Sequence, residues 1–318
     1  MRIGAWYRWD VDVVARARTE AVREAAHALG FDAVGIAHAD HIDREGRLAA
    51  WVRRGFAADL EYMKTNVDVR EDPRRLVEGA RSVVALAMSY YRPEHIPAAP
   101  LKVSRYVVGD DYHVVVRKRI RRLRKRLLQI DPGAGVMPTV DTSPVLERAW
   151  AERAGIAWIG KSTMAIGTRL GTYTFLATLI TTMELVPDTP HPDRCGSCTA
   201  CLDACPTDAF DGPYQLDANK CITYWNVEHR GAFDATTPDL HGWLAGCDVC
   251  QEVCPWNKFA RPTEETRLAV RPAMSRPDPA TFTGDEDGIA DVLRGTAVQR
   301  TGPAALRRNA IRILGDAD

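Results

Sequence analysis

Apolar residues recur at three- to four-residue spacing along "VDVVARARTEAVREAAHALG" (residues 11–30), which predicts an amphipathic helix ending at Gly30. "FDAVGIA" (31–37) then reads as a short strand. "SVVALAMSYY" (82–91) is apolar throughout rather than alternating, the mark of a central strand covered on both faces. Helical spacing returns in "DYHVVVRKRIRRLRKRLLQI" (111–130), where Val116, Ile120, Leu123, Leu127 and Ile130 form one stripe. "GVMPTVDTSP" predicts a strand ending at Asp141. "SPVLERAWAERAG" (143–155) predicts a helix with Ser143 as its cap, Pro144 in its first turn and Gly155 at its end. "TYTFLATLIT" (172–181) completes the strands. Helices alternating with strands indicate an α/β (α+β) domain over residues 1–188. The proline-rich "VPDTPHPDR" marks its boundary, residues 189–262 hold a cysteine-rich domain, and residues 263–318 form a short α-helical tail.

The 318-residue chain has a net charge of zero, but residues 188–258 carry eleven acidic and four basic side chains, so that segment holds −7 and the rest +7. No stretch near the N-terminus has the apolar core of a signal peptide, and the uncharged run 171–183 is too short to span a bilayer. These features predict a cytoplasmic protein. All eight cysteines lie between residues 195 and 254, a clustering that argues against a disulfide framework stapling the whole chain.

"GIAWIGKS" (155–162) matches the phosphate-loop pattern G-x-x-x-x-G-K-[ST]. That loop works only between a buried strand and a helix, with an open interior. Here a helix precedes it, and Ile156, Trp158 and Ile159 fill it. A nucleotide site is therefore not expected.

"CGSCTACLDACP" is C-x2-C-x2-C-x3-C-P, built from Cys195, Cys198, Cys201 and Cys205; "CDVCQEVCP" adds Cys247, Cys250 and Cys254, with Cys221 between. In this arrangement the fourth cysteine turns to a second cluster. The crossing assigns Cys195, Cys198, Cys201 and Cys254 to one [4Fe–4S] cluster, and Cys205, Cys221, Cys247 and Cys250 to another. Two zinc sites would need paired C-x2-C knuckles and would leave the third cysteine and both Cys-Pro steps unexplained. Two clusters make an electron wire, but no G-x-G-x-x-G fingerprint offers a dinucleotide at its end. The cobalamin signature D-x-H-x-x-G fails as well, since "DYHVVV" (111–116) ends in Val.

The cysteine layout, with "CITYWNVEHRG", "GCDVCQEVCPWN", "RYVVGDDYHVVVRKR", "VDTSPVLERAWAERAGIAWIGKST" and "ALRRNAIRILG", resembles the epoxyqueuosine reductase family over nearly the whole chain and in the same order. The resemblance implies a monomeric cytoplasmic enzyme that removes the epoxide oxygen of epoxyqueuosine at the wobble position of tRNA. It implies a base-off cobalamin on the N-terminal domain, a ferredoxin-like domain with two [4Fe–4S] clusters, and an external donor such as flavodoxin or ferredoxin. Carried over by resemblance, Arg70, Ser104, Asp141, Gly160, Lys161, Met164 and Ala165 would contact cobalamin, with "IGKSTMAIG" lying against the corrin. Asp141 would donate the proton to the substrate oxygen. Because Ser143 already caps the following helix, Asp141 is free of that task at its strand end, and a raised pKa is expected for an acid in this role. Tyr106 or His113 would be the next donors to consider.

Residues 117–126 carry eight Lys or Arg in ten positions. Arg117, Arg121 and Arg124, with Arg307 and Arg308 in the tail, are the expected tRNA contacts, where positive charge follows the phosphate path. Many family members continue into HEAT-type repeats beyond the point where this sequence stops, at Asp318, which predicts a smaller tRNA grip. A corrinoid reductive dehalogenase and a plain ferredoxin-type carrier are the competing readings. The first usually bears a twin-arginine signal that this sequence lacks, and the second leaves Asp141 and the basic helix unexplained.

Overall fold

A computed structural model describes residues 4–43 and 45–315. Four strands, β1 (Ala33–His38), β2 (Ser82–Ser89), β3 (Val136–Thr139) and β4 (Thr174–Thr181), form one sheet in the order β1-β2-β4-β3. Every neighbouring pair is antiparallel, so the domain is of the α+β kind. Both faces are covered, which is why the central strands lack polar alternation. Val84, Leu86 and Met88 of β2, with Ile36 and Leu179, sit beneath the basic helix Tyr112–Ile130 and the N-terminal helix Gly4–Ala28. Val83 and Ala85 point the other way, with Ala37 and Ile180, onto Trp150 and Ala154.

On the basic helix Val116, Ile120, Leu123 and Leu127 are fully buried and Ile130 partly so, as the periodicity predicts; each fully buried aliphatic side chain contributes about 1.5–3 kcal/mol. The helix behind the other face comes very close. A Cβ on Gly35 would lie 2.1 Å from the carbonyl oxygen of Ala154, so β1 can pass there only as glycine.

The helix expected from Ser143 begins instead at Glu147 and ends at Arg153, with no side-chain cap at its start. Pro144 disfavours helical geometry in Ser143, and the N–H of Val145 bonds to the carbonyl of Ser143, so the chain turns before the helix starts. Gly155 does terminate it, at φ 74°. The "GIAWIGKS" stretch is a hairpin, Trp158–Ile159 against Ala165–Ile166, with Thr163 at φ 64° in its turn. It is not a strand-loop-helix unit.

A parallel pairing of Lys102–Val103 with Trp243–Ala245 joins the sheet domain to the cysteine-rich segment. On it lies a second core in which Val103, Val107 and Leu244 meet Met274, Phe282, Ile289 and Leu306 of the tail. The tail helices include Glu286–Leu293 and Pro303–Gly315. No described helix is long and apolar enough to cross a membrane.

Candidate active site and cluster-binding loops

Just beyond β3 the chain reaches Asp141 in the left-handed region, at φ 54°. A non-glycine residue there carries strain that surrounding contacts must hold in place. Glu147 does so from the first turn of its helix, its Oε1 accepting the backbone N–H of Asp141 at 2.9 Å. Asp141 Oδ2 lies 2.8 Å from His113 Nε2, and His113 Nδ1 lies 2.6 Å from Asp111 Oδ1. Asp111 also caps the basic helix by accepting the His113 backbone N–H. The imidazole is thus fixed between two carboxylates, and Tyr112 stacks on it with ring centroids 4.0 Å apart. Tyr112 in turn stacks on Phe175 of β4.

Burial works against a charge on His113, but the hydrogen bonds and charges of Asp111 and Asp141 outweigh it, and its pKa is raised to about 9. Burial likewise pushes the Asp141 carboxyl up, yet the bond and charge of His113, then the Tyr112 hydroxyl and the Arg300 charge, hold it below the usual range. The elevated carboxyl expected at Asp141 is therefore not found. The side chain is 51% exposed, so burial is incomplete, and the proton resides on the adjoining imidazolium. Glu147 is the carboxyl that is raised, to about 8, chiefly by burial and then by the charge of Asp141.

Around this pair stand Tyr62, Tyr106, Arg70 and Arg300, whose charges and dipoles act on one another and on Asp141. Arg300, from the tail, is paired with Glu228. Arg70 is buried; one terminal N–H donates to the Tyr62 carbonyl at 2.8 Å, while its Nε has no hydrogen-bond partner among the described residues. A buried, unsatisfied guanidinium N–H is costly unless a ligand accepts from it, and it suits a group rich in amide carbonyls such as the cobalamin rim.

The thiols gather in two sets. Burial and then the neighbouring Cys195 and Cys198 raise Cys201; burial and then Cys195, Cys201 and Cys198 raise Cys254. In the other set, burial and then Cys205 act on Cys221, while burial and then Cys221 and Cys205 figure for both Cys247 and Cys250. Thiols are the donor chemistry that thiolate-bound clusters take. They differ in depth: Cys198 is exposed, whereas burial drives Cys250 and Cys247 well above the ordinary thiol value. Gly246 presses the deeper set's loop onto the site, since a Cβ there would lie 2.5 Å from Ser104 Cβ and 2.9 Å from Tyr106 Cε1.

Other residues singled out in the sequence fall in different places. Ser104 is buried and donates its hydroxyl to Asp248, beside Cys247. Gly160 packs against Ile166, and a Cβ there would be 3.5 Å from Cys195 Sγ. Lys161 reaches the loop between Cys195 and Cys198. Met164 is half-buried and Ala165 buried in the hairpin. On the basic helix Arg121 is exposed, Arg117 reaches Thr142 Oγ1 next to Asp141, and Arg124 donates to the Val136 carbonyl. Arg307 binds the carbonyls of Thr283 and Gly284. Arg308 donates to the carbonyls of Trp225, His229 and Gly231 and lies 3.9 Å over Phe233, contacts that fasten the tail. Burial lowers its pKa to about 10.

Glu147 and the Arg300–Glu228 pair were not legible in the sequence. Asp111 was, in part: an Asp two residues before a His at a helix start is a capping signal, and here one carboxylate both caps the helix and orients the ring.

Comparison with known proteins agrees with this architecture. Residues 70–142 match the family described as "Epoxyqueuosine reductase QueG, DUF1730", and residues 194–257 match the "4Fe-4S double cluster binding domain". The epoxyqueuosine reductase of Leadbetterella byssophila is 38% identical over 91% of this chain and 95% of its own length. That of Pseudomonas aeruginosa is 38% identical over 94% and 85%. Among solved structures, an epoxyqueuosine reductase in complex with a tRNA-Tyr epoxyqueuosine-modified stem loop superimposes with a TM-score of 0.84 at 31% identity, covering 93% of this chain and 80% of that one. The Bacillus subtilis epoxyqueuosine reductase, captured with its catalytic aspartate loop swung out of the active site, gives 0.80 at 29% identity over the same shares. The chain belongs to the epoxyqueuosine reductase family.

Proposed function

We propose that this protein reduces epoxyqueuosine to queuosine in tRNA, with Asp141 and His113 acting as one proton-delivering unit. Replacing an epoxide by an alkene breaks two C–O bonds, consumes two electrons and two protons, and releases water. A bound cobalamin would supply a cobalt centre able to deliver electrons, and two [4Fe–4S] clusters would supply one-electron carriers. The chain's own residues supply the proton and the geometry. His113, kept protonated by two carboxylates, recharges Asp141, whose carboxyl is half-exposed. Arg70, with its unpartnered Nε, and the backbone of the Gly160–Ala165 hairpin are the groups we assign to the cobalamin rim. Cys195, Cys198, Cys201 and Cys254 hold one cluster, and Cys205, Cys221, Cys247 and Cys250 the other. Arg117, Arg121 and Arg124 form the phosphate-contacting face. A flavodoxin or ferredoxin supplies the electrons, and the enzyme works as a cytoplasmic monomer.

The observation that carries this reading is the contact of His113 with the half-exposed Asp141 carboxyl, with Asp141 held in a strained conformation by Glu147. Asp141→Asn keeps shape and hydrogen bonding but has no transferable proton. Iron content and the cobalamin spectrum should be retained, while reduction of epoxyqueuosine in a tRNA stem loop slows by about 10²–10⁴-fold, the usual contribution of a general acid. A variant that turns over at the parent rate with full cofactor loading would remove Asp141 from the reaction.

A further inference from the structure

Lys161 belongs to a motif that no nucleotide explains, and its side chain is engaged in a specific way. Its Nζ donates to the carbonyl of Gly196 at 2.7 Å and to that of Cys198 at 2.9 Å. These two carbonyls belong to the loop that presents Cys195 and Cys198, itself bent by Gly196 at φ 51° and by the Cys198 N–H to Cys195 carbonyl bond. The preceding Gly160 sits so close to this loop that a Cβ added there would lie 3.5 Å from Cys195 Sγ. The hairpin is tied down again where the Tyr214 N–H bonds to the Lys161 carbonyl at 2.9 Å. From the other side Asp193 accepts the Cys195 N–H at 2.7 Å and the Tyr214 hydroxyl.

We propose that Lys161 is a positioning residue for the cluster held by Cys195, Cys198, Cys201 and Cys254, and that its ammonium raises the reduction potential of that cluster relative to the other. The inference rests on the ligand sets assigned above. A [4Fe–4S] cluster with four thiolates carries a net charge of −2 when oxidised and −3 after taking one electron. A fixed positive charge stabilises the −3 form more than the −2 form. This cluster lies near the surface, on the side of the exposed Cys198, where water would otherwise reach the ligand loop. The ammonium both closes the loop by gripping two carbonyls and tunes the cluster that the loop holds. Asp193 stands beside Lys161 and bears on the same loop, so part of the effect is offset; the expected change on removing Lys161 is about tenfold in the reduction equilibrium, ~59 mV for a one-electron couple.

The test is an EPR-monitored redox titration of the reconstituted full-length protein as parent, Lys161→Met, Lys161→Gln and Lys161→Arg. Lys161→Met should lower the potential of one cluster about tenfold in equilibrium terms and leave the other unmoved. Lys161→Gln, which keeps donors but not charge, should show the same lowering even if Lys161→Met loses iron to a chelator; Lys161→Arg should restore the parent value. Two unshifted clusters in an iron-replete Lys161→Gln protein, or a shift equal in Lys161→Arg and Lys161→Gln, would overturn the role. Failure of the ligand assignment looks different: it shows in which cluster disappears from a cysteine variant, not in where a retained cluster titrates.

Discussion

Replacing His113 by Gln should turn a proton donor that works through neutral pH into one that works only in acid. The pKa of His113 is raised from 6.5 to about 9, which at 1.36 kcal/mol per unit amounts to about 3 kcal/mol of preference for the imidazolium. That preference is shared between Asp111 and Asp141, and the 51% exposure of Asp141 screens its share to about 1–2 kcal/mol. With Gln in place, the Asp141 carboxyl loses the imidazolium that holds it low and has no proton behind it. Its own ionisation, no longer held down by the imidazolium, then limits the reaction. Under single-turnover conditions with chemical reductant in excess, parent turnover should stay level to about pH 9 and decline above it, as His113 deprotonates. His113→Gln should decline from the acid end of the range and at pH 8 be at least about 10²-fold slower, as expected when a general acid is lost. Nucleoside analysis of an epoxyqueuosine-bearing stem loop between pH 5.5 and 9.5 reads both curves. The sign for stability follows from the same shift: a raised folded pKa stabilises fully below the unfolded value near about 6.5 and is lost as pH rises through about 9. Parent and variant melting temperatures should therefore differ most near pH 6 and converge above pH 9. An unchanged rate with the same alkaline limb in His113→Gln would refute the proton relay.

Cys221→Ala should leave about four of about eight irons and remove the buried cluster's signal, while Cys254→Ala should remove the other; loss of the same signal in both would break the ligand assignment. Arg121→Ala should weaken tRNA binding and lower the salt slope by about 1, measured by titrating affinity against salt. Arg308→Ala should instead lower the melting temperature and leave that slope unchanged, because its guanidinium is committed to the carbonyls of Trp225, His229 and Gly231.

Much of this protein is local enough to be read from its sequence. The stripe Val116–Leu127 faces inward because helical periodicity leaves it no other face to bury. The C-x2-C-x2-C-x3-C-P spacing points by itself to a double-cluster domain, because it limits which loops can share a cluster. The phosphate-loop reading of "GIAWIGKS" fails on its upstream helix alone, and the hairpin agrees. What the sequence could not supply depends on residues far apart in the chain. The antiparallel order β1-β2-β4-β3 follows from long-range pairing, which apolar runs do not encode. Ser143 looks like a cap, but the geometry before Pro144 delays the helix to Glu147, which then grips Asp141 through its backbone. The low pKa of Asp141 arises from His113, 28 residues away. Lys161 and the Gly196–Cys198 loop are more than thirty residues apart and meet only because the hairpin and the cluster domain pack together. Periodicity and spacing act within a few turns of chain, whereas the charge on a carboxyl or the partner of an ammonium is set by whichever groups the completed fold brings within hydrogen-bonding distance.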